Sequence, residues 1–232
     1  MSDARPRLGL SIPLYDEQDL VEQVVVHLVE TLRAANIPHS LVLVDNGSTD
    51  DTGPRVNGLC ARYGLRALHL EVNAGYGGGI LAGLRQLDTE LVGWTWGDGQ
   101  VAPEVVVAAY EKLVAEDLDL CKARRVERQD GLQRLVVSRI YNTVMKAYGV
   151  TTTDVNGCPK IVRRAAWTQL DARSLDWFLD PEVVLKAAEI GLRVGEVDAV
   201  MLPRAGGASK VRGDTVLQFL QHLRAWRGGW RP

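Results

Sequence analysis

Cysteine is scarce in this chain, and the three present, Cys60, Cys121 and Cys158, are odd in number, far apart and outside any CxxC pair. That excludes a disulfide framework, argues against a structural zinc site and suits a reducing, cytoplasmic setting. Long apolar runs are missing too: nothing approaches the ~18 residues of a membrane span. The amino terminus Met1-Ser2-Asp3-Ala4-Arg5-Pro6-Arg7 has no apolar signal core, so the chain is expected to be neither secreted nor membrane-spanning. Charge of one sign is lacking: the formal net charge is −2, which gives the whole surface no attraction for nucleic acid, although Arg and Lys cluster in the last third. His27, His39, His69 and His222 fall in no HxxxH or HExxH spacing, which removes a histidine metal site or a histidine-activated nucleophile.

What is there is aliphatic. Of 232 residues 46% are hydrophobic, only two are Phe, and Val, Leu, Ala and Gly abound, as suits parallel strands covered by helices in one domain. Strands are expected at 8–13, 40–44, 65–72, 91–96, 118–122, 160–163 and 193–200. Helices are expected from Asp16 or Glu17 through Leu32, after Thr49 or Asp50, and over 80–87, 103–116, 132–148, 165–170, 181–190 and 214–227. Residues 73–79 read as a glycine loop and 124–130 as a charged loop. Alternating strands and helices of this kind build a parallel α/β sheet with right-handed crossovers.

The stretch Val92 to Glu104 carries the chemistry. An apolar strand runs into Gly97-Asp98-Gly99-Gln100, and Pro103-Glu104 then opens a helix. A carboxylate and a carboxamide at a strand end offer oxygen ligands to Mg²⁺ or Mn²⁺; from these residues alone a plain turn, with Gln100 solvated, is the favoured reading. The glycines from Gly75 to Gly79 match neither a P-loop nor a dinucleotide fingerprint, leaving a phosphate cradle and a close packing turn both open. Arg134 and Ser138 share one helix face and could receive a phosphate, as could Arg204, Lys210 and Arg212 in a glycine-containing loop; solvated basic surfaces are the plainer alternative. Asp180 and Glu182 stand at a helix start, where the helix dipole alone favours them.

Taken in order, these segments resemble family 2 glycosyltransferases of the GT-A fold, in particular dolichol-phosphate mannose synthases and related polyprenyl-phosphate glycosyltransferases. Pro13-Leu14-Tyr15-Asp16-Glu17 resembles P-x-Y-N-E. Val44-Asp45-Asn46-Gly47-Ser48-Thr49-Asp50 resembles V-D-D-G-S-x-D, and Asn73 to Gly83 resembles the N-x-G-x-G segment. Asp98-Gly99-Gln100 with Pro103-Glu104 falls where the family has D-x-D-x-Q and P-E. Asp154 to Arg164 resembles D-x-x-x-G-x-x-x-x-R-R, and Arg204 to Lys210 resembles R-x-x-G-x-S-K.

The resemblance implies an inverting transfer of sugar from a nucleotide-diphosphate sugar to a polyprenyl phosphate, or to a small-molecule hydroxyl. A non-catalytic nucleotide-sugar-binding subunit is the remaining alternative. The implied domain is a single GT-A unit over 8–213, with a mostly parallel central sheet flanked by helices. Its donor half is about 8–104 and its acceptor half about 105–213; a tail of 1–7 precedes it and an amphipathic helix and tail of 214–232 follow. Pro13, Tyr15, Glu17, Asp45 and Gly75 would bind the nucleotide, and Asp98 and Gln100 the Mg²⁺ or Mn²⁺. Arg124, Arg134, Ser138, Arg204, Ser209 and Lys210 would bind acceptor phosphate. Asp180 would serve as base only for a hydroxyl acceptor. The terminal helix could rest at lipid headgroups, meet a membrane partner subunit or pack on its own domain.

Four positions depart from the pattern. Trp96 replaces the first aspartate of D-x-D-x-Q, Asn46 the second of V-D-D, and Asp16 the Asn of P-x-Y-N-E, while Tyr76 stands where basic or small residues are common. Without a carboxylate at 96, Asp98, Gln100, diphosphate oxygens and water would complete the metal's octahedron.

Overall fold

Apolar runs without polar alternation, such as Leu41-Val42-Leu43-Val44, cannot leave one face in water, so they form strands covered on both sides. In the computed structural model, which describes residues 5–126, 143, 145–202 and 214–229, seven strands make one sheet. They are β1 (Leu8–Leu14), β2 (His39–Asn46), β3 (Arg66–Leu70), β4 (Leu91–Trp94), β5 (Leu120–Val126), β6 (Lys160–Arg163) and β7 (Val194–Val200). Their spatial order is β3-β2-β1-β4-β6-β5-β7, parallel throughout except that β6 runs antiparallel to both β4 and β5. The helices are α1 (Val21–Ala34), α2 (Thr52–Tyr63), α3 (Gly75–Leu84), α4 (Pro103–Ala115), α5 (Arg164–Leu170), α6 (Leu179–Glu189) and α7 (Asp214–Arg227).

Strand alternation sorts the core into two layers. Leu8, Leu10, Ile12, Leu41, Leu43 and Leu91 pack with α1, α2 and α4, whereas Val42, Val44, Val92 and Trp94 pack with α3, α5 and α6. A third cluster joins Phe178, Val184 and Leu185 to Leu223 and Trp226 of α7, and Trp226 Nε1 donates to Glu189 Oε1 at 2.9 Å. The last turns of α7 are thus packed on their own domain. Among the described residues no helix is long and apolar enough to cross a membrane.

Several boundaries differ from expectation. The first helix starts at Val21 rather than at Asp16 or Glu17, because Asp16 adopts φ +50° and is tied to the next loop: its amide donates to Ser48 Oγ and its carboxylate accepts the Thr49 amide. The third strand stops at Leu70. Residues 75–79 are not a loop but the first turn and a half of α3. Arg124 and Arg125 belong to β5, in register with Asp198 and Ala199 of β7. Of the helix expected over 132–148, only 143 and 145–148 are described, and 145–147 are helical.

Candidate active site

From β1 the chain moves outward to β2 and β3 and then returns to place β4 on the other side of β1. Crossovers therefore leave in opposite directions above β1 and β4, and open α/β sheets bind ligands at such a switch point, here the edge formed by the carboxyl ends of these strands. Three loops line it. The segment after β1, 15–20, is zipped to the loop after β2: the Glu17 amide donates to Thr52 Oγ1 at 2.8 Å and the Asp51 amide to Gln18 Oε1 at 3.0 Å. The third loop, after β4, carries Asp98 and Gln100.

That last corner is pressed directly on β1. The Thr95 amide donates to the Ser11 carbonyl, and a Cβ on Gly97 would overlap the Leu14 side chain. Gly99 adopts φ +71°, and the Gln100 amide caps Asp98 Oδ1 at 3.1 Å, so the carboxylate is aimed by its own turn. Among the described residues no three His, Cys, Asp or Glu side chains gather as a metal cage. The donor set here is one carboxylate and one carboxamide, which fits a hard divalent cation that takes its remaining oxygens from phosphate and water.

Trp96 spends its polar atom on a neighbouring side chain and can supply no ligand to such an ion. Its indole N–H, which can only donate, reaches Tyr76 Oη at 3.0 Å. The Tyr76 proton must then go to Asp180 Oδ2 at 2.9 Å, and Asp180 Oδ1 receives Lys160 Nζ at 2.5 Å. Burial, reinforced by the Asp180 charge, pushes the Tyr76 phenol well above its ordinary pKa, so the hydroxyl keeps its proton. Lys160 also donates to the Gly157 carbonyl and lies over the Trp94 ring, its cross-strand partner. Asp180 is thus buried with both oxygens engaged, and an acceptor hydroxyl would have to displace Tyr76 or Lys160 to reach it.

Asp45, at the end of β2, faces its register partner His69 of β3, with Nδ1 3.0 Å from Oδ2; the Ser48 amide binds Oδ1. Burial would raise this carboxyl, but the bonds from Ser48 and His69 outweigh it and hold it below the usual range. Pro13, next to last in β1, and Tyr15 and Glu17 in the loop that follows are half-buried. Gly75 donates its amide to Asn73 Oδ1, and a Cβ there would stand 2.6 Å from the Leu175 carbonyl oxygen. The glycine segment therefore serves close packing against 174–176, and the amides of Gly75 and Gly78 are spent on Asn73 and on Leu175 O.

Arg124 pairs with Asp198 on the sheet surface, while Arg125 forks onto Asp154. Arg134, Ser138, Arg204, Ser209, Lys210 and Arg212 lie outside the described residues. Sequence reasoning passed over His69, Tyr76 as a hydrogen-bonding group, Lys160 and Trp177. Strand register, which pairs Asp45 with His69 and Trp94 with Lys160, places the first and third of these, whereas Tyr76 on α3 and Trp177 before α6 arrive through tertiary packing.

Comparison with known proteins agrees with this geometry. A model of the family described as "Glycosyl transferase family 2" matches residues 10–169. An undecaprenyl-phosphate 4-deoxy-4-formamido-L-arabinose transferase from Serratia proteamaculans is 28% identical over 163 residues, covering 68% of this chain and 49% of that protein. The chain thus spans about half the length of that relative. An uncharacterised glycosyltransferase from Mycobacterium tuberculosis is 29% identical over 224 residues, covering 93% of this chain and 94% of the other. Among solved structures, glucosyl-3-phosphoglycerate synthase from Mycobacterium tuberculosis in complex with Mg²⁺ and UDP superposes with a TM-score of 0.71 at 18% identity, covering 98% of this chain and 81% of that one. At that identity the likeness speaks for the fold, which is GT-A.

Proposed function

The chain belongs to glycosyl transferase family 2, and we propose that it moves a sugar from a nucleotide-diphosphate sugar to a polyprenyl phosphate with inversion. The observation that carries this reading is the Asp98–Gln100 corner at the carboxyl end of β4, beside the switch point and on the same edge of the sheet as the Tyr15 and Asp45 segments after β1 and at the end of β2. Pro13, Tyr15, Glu17 and Asp45 would hold base and ribose, and Asp98 and Gln100 would hold the diphosphate through Mg²⁺ or Mn²⁺, as the superposed synthase binds UDP with Mg²⁺. When bound, the cation would offset charge on the departing nucleoside diphosphate.

Polyprenyl-phosphate action among the relatives supports the acceptor. A phosphate is already ionised near neutral pH, so the attack needs no general base. That suits a site whose Asp180 is buried and doubly bonded, and it disfavours the hydroxyl-acceptor alternative. Arg124, with Arg134, Ser138, Arg204, Ser209 and Lys210, would receive the acceptor phosphate; the work would take place in the cytoplasm, at the membrane face where the lipid is met.

Thermal-shift titration with UDP-, GDP- and dTDP-sugars, with and without Mn²⁺, followed by transfer to a polyprenyl phosphate, tests the reading. Asp98→Ala is expected to keep its fold and lose turnover on the order of 100-fold, as for other transition-state charge stabilisers. Undiminished turnover in that variant would remove Asp98 from the metal and diphosphate site, and a wild type that transfers nothing would overturn the proposal in favour of a non-catalytic binding role.

A further inference from the structure

Trp177 keeps 38% of its surface in water, yet its ring and the backbone beside it are tied to their neighbours. Its ring stacks on Tyr76 with centroids 4.4 Å apart and planes 12° from parallel. The segment carrying it is clamped on both sides. The buried Glu182 carboxylate accepts the Arg173 and Ser174 amides, Asp176 accepts the Phe178 amide, and the Leu175 carbonyl accepts the Gly78 amide of α3. A Cβ on Gly77 would overlap the Ser174 carbonyl oxygen, so backbone meets backbone there. An exposed aromatic face on so stiff a mount is poorly explained as solvated surface, whereas a preorganised binding ledge is built this way.

The mount leads straight to the acidic corner. Tyr76, beneath Trp177, is fixed through its hydroxyl to Trp96 and Asp180, and Trp96 is followed by Gly97 and Asp98. Trp177, Tyr76, Trp96 and the Asp98 turn are therefore one connected assembly. We infer that Trp177, backed by Tyr76, is the stacking surface for the sugar ring of the nucleotide-sugar donor. One face of a pyranose presents several C–H bonds with partial positive charge, which complement the negative face of an indole. Its hydroxyls stay at the rim, and the diphosphate lies toward Asp98 and Gln100. This assignment rests on the donor class proposed above and adds the group that reads the sugar. It also accounts for two departures at once. A carboxylate at position 96 could not donate to Tyr76, and a basic or small residue at 76 would leave Trp177 without its backing. Tyr76 and Trp96 are then positioning residues, and Trp177 is the one that touches the ligand.

Calorimetric titration with the matched pairs UDP and UDP-glucose, and GDP and GDP-mannose, in Mn²⁺ buffer separates sugar from nucleotide. In the pair that binds, Trp177→Ala is expected to weaken the nucleotide sugar about tenfold and leave the nucleoside diphosphate unchanged, the size of one aromatic contact. Trp177→Phe should restore most of the loss. Tyr76→Phe, which keeps the stack but cuts the hydroxyl link, should fall between. Trp177→Gln replaces the alanine variant if that one melts early. Equal weakening of both members of a pair, no weakening of either, or no sugar increment in the wild type would overturn the assignment. A wild type that binds neither these four ligands nor dTDP and dTDP-glucose, titrated as a third pair, refutes the nucleotide-sugar reading itself, and the wild-type titration alone reveals it.

Discussion

Asp154 is 9% exposed and carries Arg125 on both oxygens, with Nε and Nη2 each at 2.7 Å and the Arg125 amide at 2.9 Å. Burial alone would raise its pKa, but the Arg125 bonds and charge outweigh burial and bring it from 3.8 to about 2. The folded chain thus holds this proton less readily than the unfolded one. Its stabilising effect is complete above 3.8 and is lost as pH falls toward about 2. Asp154→Asn is expected to cost about 2–3 kcal/mol in urea unfolding at about pH 7, the same at about pH 5.5 and visibly less at about pH 3. A cost independent of pH would remove the ion pair as its source. The four departures from the family pattern also find their reasons among single side chains. Asn46 donates to the Gly75 carbonyl and accepts the Ala74 amide, a pairing that an ionised aspartate could only half fulfil. Asp16 sits at φ +50°, which Asp and Asn tolerate alike. Tyr76 and Trp96 are each other's partners.

At the scale of elements, α3 and α2 use glycine to opposite ends. In α2 a Cβ on Gly58 meets nothing within 4 Å, whereas in α3 one on Gly77 runs into the backbone of 174–176. Gly58→Ala is therefore expected to stabilise the protein by about 0.5–1 kcal/mol, through helix propensity alone. Gly77→Ala gains the same propensity but overpacks by about 1–3 kcal/mol, for a net loss. Chemical denaturation of the two variants side by side reads the opposite signs; a stabilising Gly77→Ala would mean that the contact with 174–176 is loose. The same contact explains why the glycine segment was misread as a loop. Glycine's poor helix propensity holds for an isolated helix, and here a neighbouring segment needs the vacant Cβ positions. The other misreading, Arg124 and Arg125 as loop, has a similar cause: their charges look solvated in sequence, but Asp198 and Asp154 on neighbouring segments neutralise them within the sheet.

Across the whole molecule, the third core ties α7 to α6 directly behind the Trp177 segment, since Phe178 touches both Trp226 and His222. Trp226→Ala is expected to destabilise by about 3–4 kcal/mol in equilibrium unfolding, as for large aromatics removed from cores. A loss below about 1 kcal/mol would mean that α7 is only loosely docked. The sequence by itself determined the seven strands, most helices, the α/β class and the order of motifs along the chain, because hydrophobic period and helix-start chemistry are local. It also marked Asp98 and Gln100, since a strand end followed by turn residues can be read without knowing the neighbours, and the family resemblance added Asp45. Tertiary structure alone decided that β6 runs antiparallel between β4 and β5, that Asp45 meets His69, and that Trp96, Tyr76, Asp180 and Lys160 form one hydrogen-bonded chain. These contacts join residues 20 to 104 positions apart or depend on strand register, and no local period encodes such a pairing. The missing carboxylate at Trp96 accordingly changes meaning: in the sequence it is a gap in a metal site, and in the fold it is a donor that braces an aromatic wall.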